Sequence, residues 1–397
     1  MGVGIRCWRL GRGDRHPGRN QLRRSTLRLR PFFVYALASA ATAACSDRFG
    51  GGSSTEPRVT LATHSSADTL RLAANTSIAD AVWITTDRDG RYVVVDRSEG
   101  NIKVYDRVGT LQRVAGSPGV SEGEFTTLLG GGIVSDSIVG YDFMTTRLSV
   151  FDRKGRFARS LALAGPGKIL PLTVRSVDDS LLLVVGVPAG SHRRSLLTLM
   201  DLRGAVRAHL FNRQHYFADA ADLIQQTIVI AAAGHGIIAA GLLGSDSLWI
   251  FDYKGHEVAS GPILVDGRHI PNASALRTAN GGKMKAGNGA SILAGRPLLT
   301  SAAVLNSRTI LLQIMTYDYG RQPRLDRTVG GRYILMQVEP ERRGIRIAAE
   351  QDRNGGLLGQ TREGEALVLR YLDVQYRTVE IARLTTLAPR DTVEGRQ

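Results

Sequence analysis

The sequence predicts an all-β chain, and within that class a six-bladed β-propeller of four-stranded antiparallel blades. Three observations carry the prediction. From about residue 58 onward, short runs rich in Val, Ile and Leu are cut by Gly, Asp, Asn and Ser every 8 to 12 residues or so, with no sustained helical period. A phrase of about nine residues recurs at intervals of roughly 46 to 51 residues, the length of one four-stranded unit. The 397 residues are 43% hydrophobic and 22% charged, which supplies enough apolar material for a large core and excludes disorder as the main state.

The phrase reads Asn101-Ile102-Lys103-Val104-Tyr105-Asp106-Arg107-Val108-Gly109, then Arg147-Leu148-Ser149-Val150-Phe151-Asp152-Arg153-Lys154-Gly155. It returns as Leu196-Leu197-Thr198-Leu199-Met200-Asp201-Leu202-Arg203-Gly204 and as Ser247-Leu248-Trp249-Ile250-Phe251-Asp252-Tyr253-Lys254-Gly255. Each implies a strand with one buried face, an Asp that opens a turn by bonding backbone amides, and a Gly whose positive φ closes it. The phrase therefore marks the third strand of a blade and the hairpin into the fourth. A further turn and strand precede it, as in Asp89-Gly90-Arg91-Tyr92-Val93-Val94-Val95-Asp96, Asp136 to Asp142 and Asp179 to Val185.

Innermost strands are expected to begin near residues 80, 128, 170, 227, 299 and 345, with seven blades as the alternative count. The last marker is Ala366-Leu367-Val368-Leu369-Arg370-Tyr371-Leu372-Asp373, which lacks the following Gly. An open ring would leave edges unpaired, so Val59-Thr60-Leu61 or Thr69-Leu70-Arg71-Leu72 is expected to complete the final blade. The segment Gly116-Ser117-Pro118-Gly119-Val120-Ser121-Glu122-Gly123-Glu124-Phe125 resembles the blade-linking segment of the NHL-repeat family, with its Gly-Glu-Phe ending. The resemblance is fullest over residues 80 to 160 and runs on to about 260. It implies blades around a central channel, in company with similar propellers that include metal-dependent lactonases and lyases.

Residues 1–44 read as a signal peptide. They hold nine Arg and one acid, Asp14, so they carry more than half of the formal net charge of +15. The excess of positive charge is therefore not a property of the folded body, and nucleic acid is not expected as a partner. The uncharged run Pro31 to Ala44 is too short to span a bilayer and ends in small residues. Thr42-Ala43-Ala44-Cys45 resembles the lipobox of bacterial lipoproteins, which implies lipidation at Cys45 and anchoring of the protein to a membrane of the cell envelope. An ordinary secretory cut at an Ala-x-Ala site is the alternative, and Arg23-Arg24-Ser25-Thr26-Leu27-Arg28 partly resembles a twin-arginine export signal. Residues 45–57 form a Gly/Ser-rich tether, and residues 58–390 the propeller, with an insertion at about 265–296.

The longest connections are Gly186 to Arg194, Phe211 to Gln226, Gly261 to Pro297 and Tyr317 to Gly331, all assigned to the face where second strands lead to third and fourth strands lead to the next blade. They carry Arg193, Arg194, Arg213, His215, Tyr216, Tyr317, Tyr319 and Arg321, with Phe217, Arg268 and His269 nearby. Guanidinium donors and aromatic faces together suit an acidic glycan, an acidic peptide or an envelope protein. The same Arg-rich composition is also what solvated loops collect.

Four motifs invite chemistry and are better explained without it. Gly119-Val120-Ser121-Glu122-Gly123 matches a nucleophile elbow in letters, but lies in a blade-linking segment and not between a strand and a helix. Asp87-Arg88-Asp89-Gly90 opens like a calcium loop, but Arg91 and Ser98 occupy ligand positions. Gly281 to Gly289 lacks the phosphate-loop order, and the His residues show no zinc spacing. No cofactor is predicted. Because ligands in a ring come from different blades, spacing leaves a divalent metal in the central channel open. The sequence thus reads as a non-catalytic binding or scaffold module of the cell envelope, with a propeller enzyme, lactonase, hydrolase or lyase, as the alternative.

Overall fold

The repeated Asp turn is the local rule from which the fold is built. In a computed structural model that describes residues 60–63, 69–71, 78–163, 169–188, 195–212, 229–242, 246–270, 297–316, 330–371 and 379–387, all four phrases adopt one conformation. Asp106 Oδ1 accepts from the amides of Val108 and Thr110, Asp152 Oδ1 from Lys154 and Arg156, Asp201 Oδ1 from Arg203 and Ala205, and Asp252 Oδ1 from Lys254 and His256, all within 2.8 to 3.0 Å. The following Gly donates back to the Asp carbonyl and sits at positive φ, 93° at Gly109 and 79° at Gly155. These amides hold the four carboxyls below their ordinary value of 3.8. The bond from Thr110 leads at Asp106 and that from Arg156 at Asp152, while at Asp201 and Asp252 the amides prevail over the opposing pull of burial.

The described strands sort into six four-stranded antiparallel units. Their inner strands are Ala81–Thr86, Leu128–Val134, Ile169–Val177, Val229–Gly234, Pro297–Asn306 and Gly356–Gln360. Each phrase supplies a third strand, as expected. The last unit departs from expectation. Residue 345 lies in Gly344–Asn354, the outer strand of unit five, because the hairpin it makes with Gly330–Glu339 is unusually long. Ala366–Tyr371 is the second strand of unit six and not the third, which is Val379–Leu387. Both middle strands of a unit are apolar, so composition alone does not rank them.

Closure follows the expected route. Thr60–Thr63 and Thr69–Arg71 both pair antiparallel with Val379–Leu387, so strands from the N-terminal side complete the unit that precedes unit one in space. On the inner side, Gly356–Gln360 pairs in parallel with Ala81–Thr86, and Ile169–Val177 with Leu128–Val134. These contacts need glycine: a Cβ on Gly359 would overlap the Ile84 carbonyl, and one on Gly130 the Val174 carbonyl.

Among the described residues the buried apolar side chains form six clusters, one between each pair of consecutive units. Trp83, Val93, Ile102, Phe125 and Phe151 join units one and two; Ile84, Val94, Tyr105, Leu367 and Ile381 join units six and one. Val93 and Val94 feed different clusters because successive residues of a strand point to opposite faces, both of which here meet a neighbouring unit. This departs from the one-sided burial that the sequence implied. The polar third position of the phrase is consequently buried: Lys103 is bonded to Asp96 at 2.9 Å and to Glu99 at 2.9 Å, Thr198 lies 3.1 Å from His209 Nδ1, and the Ser149 hydroxyl has no acceptor or donor. Phe211, placed in a loop by the sequence, is a strand residue packed 5.1 Å from Trp249 and 6.0 Å from Phe251. Ile263 and Ile270, which flank a small hairpin at the start of the expected insertion, join the cluster between units four and five.

One side chain ties four units together. Gln360 accepts from Val304 N at 2.6 Å, donates to the Ala233 carbonyl at 3.1 Å, and offers its own carbonyl to Thr85 Oγ1 at 3.2 Å. Gln360→Leu leaves a buried amide and a buried carbonyl without these partners, and should cost about 2 to 4 kcal/mol in urea unfolding; a loss below about 0.5 kcal/mol would show the bridge to be incidental. The Asp turns carry a pH signature as well. Carboxyls with lowered folded values stabilise above their ordinary pKa and lose that contribution as pH falls through the folded value, so the melting temperature should drop below about pH 4. Asp201→Asn should start lower at neutral pH and fall less steeply in acid.

Candidate functional site

The hairpins that follow the inner strands converge on one end of the ring. The turns of units one, two, three, four and six, with the ends of their strands, line a small funnel of about 40 Å³. Unit one supplies Trp83, Thr86, Asp87 and Arg88; unit three, Ser176, Asp178 and Asp179; unit four, His235; and unit six, Gln360 and Arg362. These turns are tight, and three lining residues take the left-handed conformation without being glycine: Ser135 at φ 55°, Asp178 at 45° and His235 at 52°. Such backbone costs on the order of 1–3 kcal/mol per residue and concentrates where a site is held in place.

The rim is an ion-pair network. Arg88 grips Asp179 through Nε at 2.9 Å and Nη2 at 2.5 Å, and Arg362 bonds the same carboxylate oxygen. Burial, and then the neighbouring Arg88, pull the Arg362 guanidinium below its usual value. Ser135 Oγ donates to the Asp179 carbonyl at 2.7 Å. Asp178 accepts from Tyr253 Oη at 2.7 Å, and burial followed by Asp178 pushes that phenol well up, so it stays a donor. Asp87 accepts from Arg91 Nε at 2.6 Å and from the amides of Asp89 and Arg91, which makes the Asp87 to Gly90 segment a hairpin turn.

Deeper along the inner strands, Arg175 Cζ lies 4.5 Å from the centroid of the Trp83 ring, and Nη1 donates to the Ala231 carbonyl at 2.7 Å. Arg175 is partly buried, and burial pushes the pKa of its guanidinium down to about 10. The Trp83 indole N–H is buried and has no hydrogen-bond partner among the described residues.

Arg193, Arg194, Arg213, His215, Tyr216, Tyr317, Tyr319 and Arg321 lie outside the described residues, as do Cys45 and the signal segment. The strands flanking those loops end at the opposite mouth of the ring. Arg268 and His269 are described, on the small exposed hairpin, where His269 Nδ1 is 3.2 Å from Asp246. Ser121 sits in a bent loop, its amide donating to Glu124 Oε2 at 2.9 Å. Among the described residues no group of three or more His, Cys, Asp or Glu could hold a metal, and no described helix is long and apolar enough to cross a membrane. The funnel could have been found by aligning the first hairpins of the repeats, since those of units one, two, three, four and six each contribute a polar residue at or beside the turn. Read singly, those turns show only that the chain reverses.

No protein-family profile matches the chain, and no curated protein matches it. Its architecture is shared with solved structures. A member of the DUF4221 family from Bacteroides vulgatus superimposes with a TM-score of 0.56 at 11% identity, covering 83% of this chain and 99% of that one. A Bacteroides fragilis protein whose name proposes that it is exported gives 0.57 at 9% identity, covering 83% and 96%. A streptogramin B lyase gives 0.38 at 11% identity over 80% and 97%, a likeness too low to carry an argument. At these identities the likeness is one of fold: the chain is a β-propeller.

Proposed function

We propose that this protein is a lipid-anchored binding module of the bacterial cell envelope, built on an NHL-like six-bladed propeller that does no chemistry itself. The observation that carries this reading is the pairing of the funnel's carboxylates. Asp179 lies between two guanidiniums, Asp87 is bonded to Arg91, and Asp178 to a phenol. A general acid or base must meet a substrate proton directly, whereas these carboxylates already accept from the protein's own guanidiniums and phenol. The lipobox-like Thr42-Ala43-Ala44-Cys45 supports the anchor, and the exported name of a fold neighbour is in keeping with it. On this reading the loop face, with Arg193, Arg194, Arg213, His215, Tyr216, Tyr317, Tyr319 and Arg321, meets an acidic glycan, peptide or envelope protein.

Two measurements test it. Cys45→Ser should move the protein from the membrane fraction to the soluble fraction; a wild type that is already soluble would remove the anchor. Elemental mass spectrometry of the purified protein should find no stoichiometric divalent ion, and chelation should leave the melting temperature unchanged. A tightly held ion whose removal lowers melting would instead favour the lactonase-type enzyme.

A further inference from the structure

In the repeated phrase the residue before the closing Gly stands at the tip of an outer hairpin. It is Val108 in unit one, Lys154 in unit two, Arg203 in unit three and Lys254 in unit four, and Arg343, at φ 51°, takes that place in the hairpin of unit five. All five are exposed, Val108 by 80%. The acid that opens each charged turn is met by a different residue: Asp152 by Arg156 at 2.8 Å, Asp201 by Arg207 at 3.0 Å and Asp252 by His256 Nδ1 at 3.0 Å, and in unit five Glu339 by Arg346 at 3.0 Å. Asp89, Asp136 and Asp179, at the same end of the ring, are engaged by Arg91, Arg153 and Arg88. Among the described residues Lys154, Arg203, Lys254 and Arg343 take part in no ion pair, so four cations in one register go unneutralised at one end of the ring.

The chain joins the body at that same end. Val379–Leu387 is the third strand of unit six and runs towards the end where the Asp turns lie. Thr60 pairs with Leu387 and Thr63 with Leu384, so the residues before Thr60 lead away from the Asp-turn end and not from the end of the long connections. Fifteen residues separate Cys45 from Thr60, a reach of at most about 54 Å. We infer that the propeller lies with its Asp-turn end on an anionic lipid surface, with Lys154, Arg203, Lys254 and Arg343 against the headgroup phosphates. The inference rests on the lipid anchor of the proposed reading and adds an orientation to it. The tips belong to units one to five and the chain enters at unit six, so these contacts are spread around the ring. Charges spread in this way can meet a plane together, whereas a single acidic peptide or glycan follows a groove. Near such a surface each cation is worth about fivefold in partitioning, and the Arg-rich loop face is left turned away from the bilayer, open to its own partner.

The test uses the protein purified from membranes with its own anchor and returned to vesicles of phosphatidylglycerol and phosphatidylcholine that carry a headgroup-linked quencher. A thiol dye is placed at Val108→Cys, on the Asp-turn end, or at Met144→Cys, which is 53% exposed in the turn between the second and third strands of unit two, at the opposite mouth. The dye at position 108 should be quenched at least about threefold more than that at 144, and about 0.5 M salt should shrink the difference. Lys154→Gln with Lys254→Gln, both on exposed tips, should shrink it too, as should vesicles of phosphatidylcholine alone. Equal quenching at the two positions, stronger quenching at 144, or a difference that neither salt nor the double substitution alters would overturn the orientation. A dye at 108 that responds to added polyglutamate and not to the vesicles would assign the row to an acidic polymer and overturn the lipid surface. The anchor is read separately. Lipid on Cys45 blocks its thiol, so dye on the peptide that holds Cys45 shows that the anchor reading fails. The soluble protein is then added to the same vesicles at low salt, where an unquenched dye at 108 sinks the orientation as well.

Discussion

Six separate units can form one body only if their narrow inner edges are held at fixed spacing, and here that constraint falls on a few polar groups. Gln360 bonds units four and five and, through its carbonyl, unit one. Gln313 does the same between units five and six, accepting from Leu357 N at 3.0 Å and donating to the Gly355 carbonyl at 2.8 Å. Apolar packing between blades is broad and non-directional, and would tolerate a tilt or a slip. A buried amide bonded at both ends does not, because a small displacement leaves donors and acceptors unmet in a dry interior.

The same economy explains the polar third position of the repeated phrase. Because each blade is covered on both faces, a residue that alternation would place in solvent is placed against the next blade. Lys103 is tolerated there because Asp96 also accepts from the amides of Ala79 and Asp80, so one buried carboxylate satisfies both the lysine and the approach to the inner strand. Asp142 plays the corresponding part in unit two, accepting from Thr126 and Thr127. Outside the cores, the Asp turn of one blade leans on the outer strand of the blade before it: Arg113 reaches the Arg153 carbonyl, and Arg159 the Leu202 carbonyl at 2.7 Å.

The two mouths of the ring are built differently. One is bordered by short turns whose conformation is set residue by residue, and this rigidity is what allows Trp83, Arg175 and the Asp179 network to stand at defined distances. The other is where the strands that flank the longest connections end. A rigid mouth of short turns holds its polar groups at fixed spacing, so little reorganisation is needed when a ligand meets them.

The sequence by itself determined the strands, the turn chemistry and the closing of the ring, because these depend on neighbours within a few residues or on a pattern repeated many times. Asp106, Asp152, Asp201 and Asp252 could be assigned to turns since an Asp followed by Gly has one economical conformation between two strands. It misplaced the start of unit six and the rank of Ala366–Tyr371, where the phrase loses its Gly and the strand lengths change. Only the tertiary structure decided which polar residues are buried and which turns meet at the funnel. Trp83 and Arg175 are 92 positions apart in the chain, and nothing local marks either of them. They become a pair because closing the ring turns the inner strands of units one and three, with unit two between them, toward the same axis.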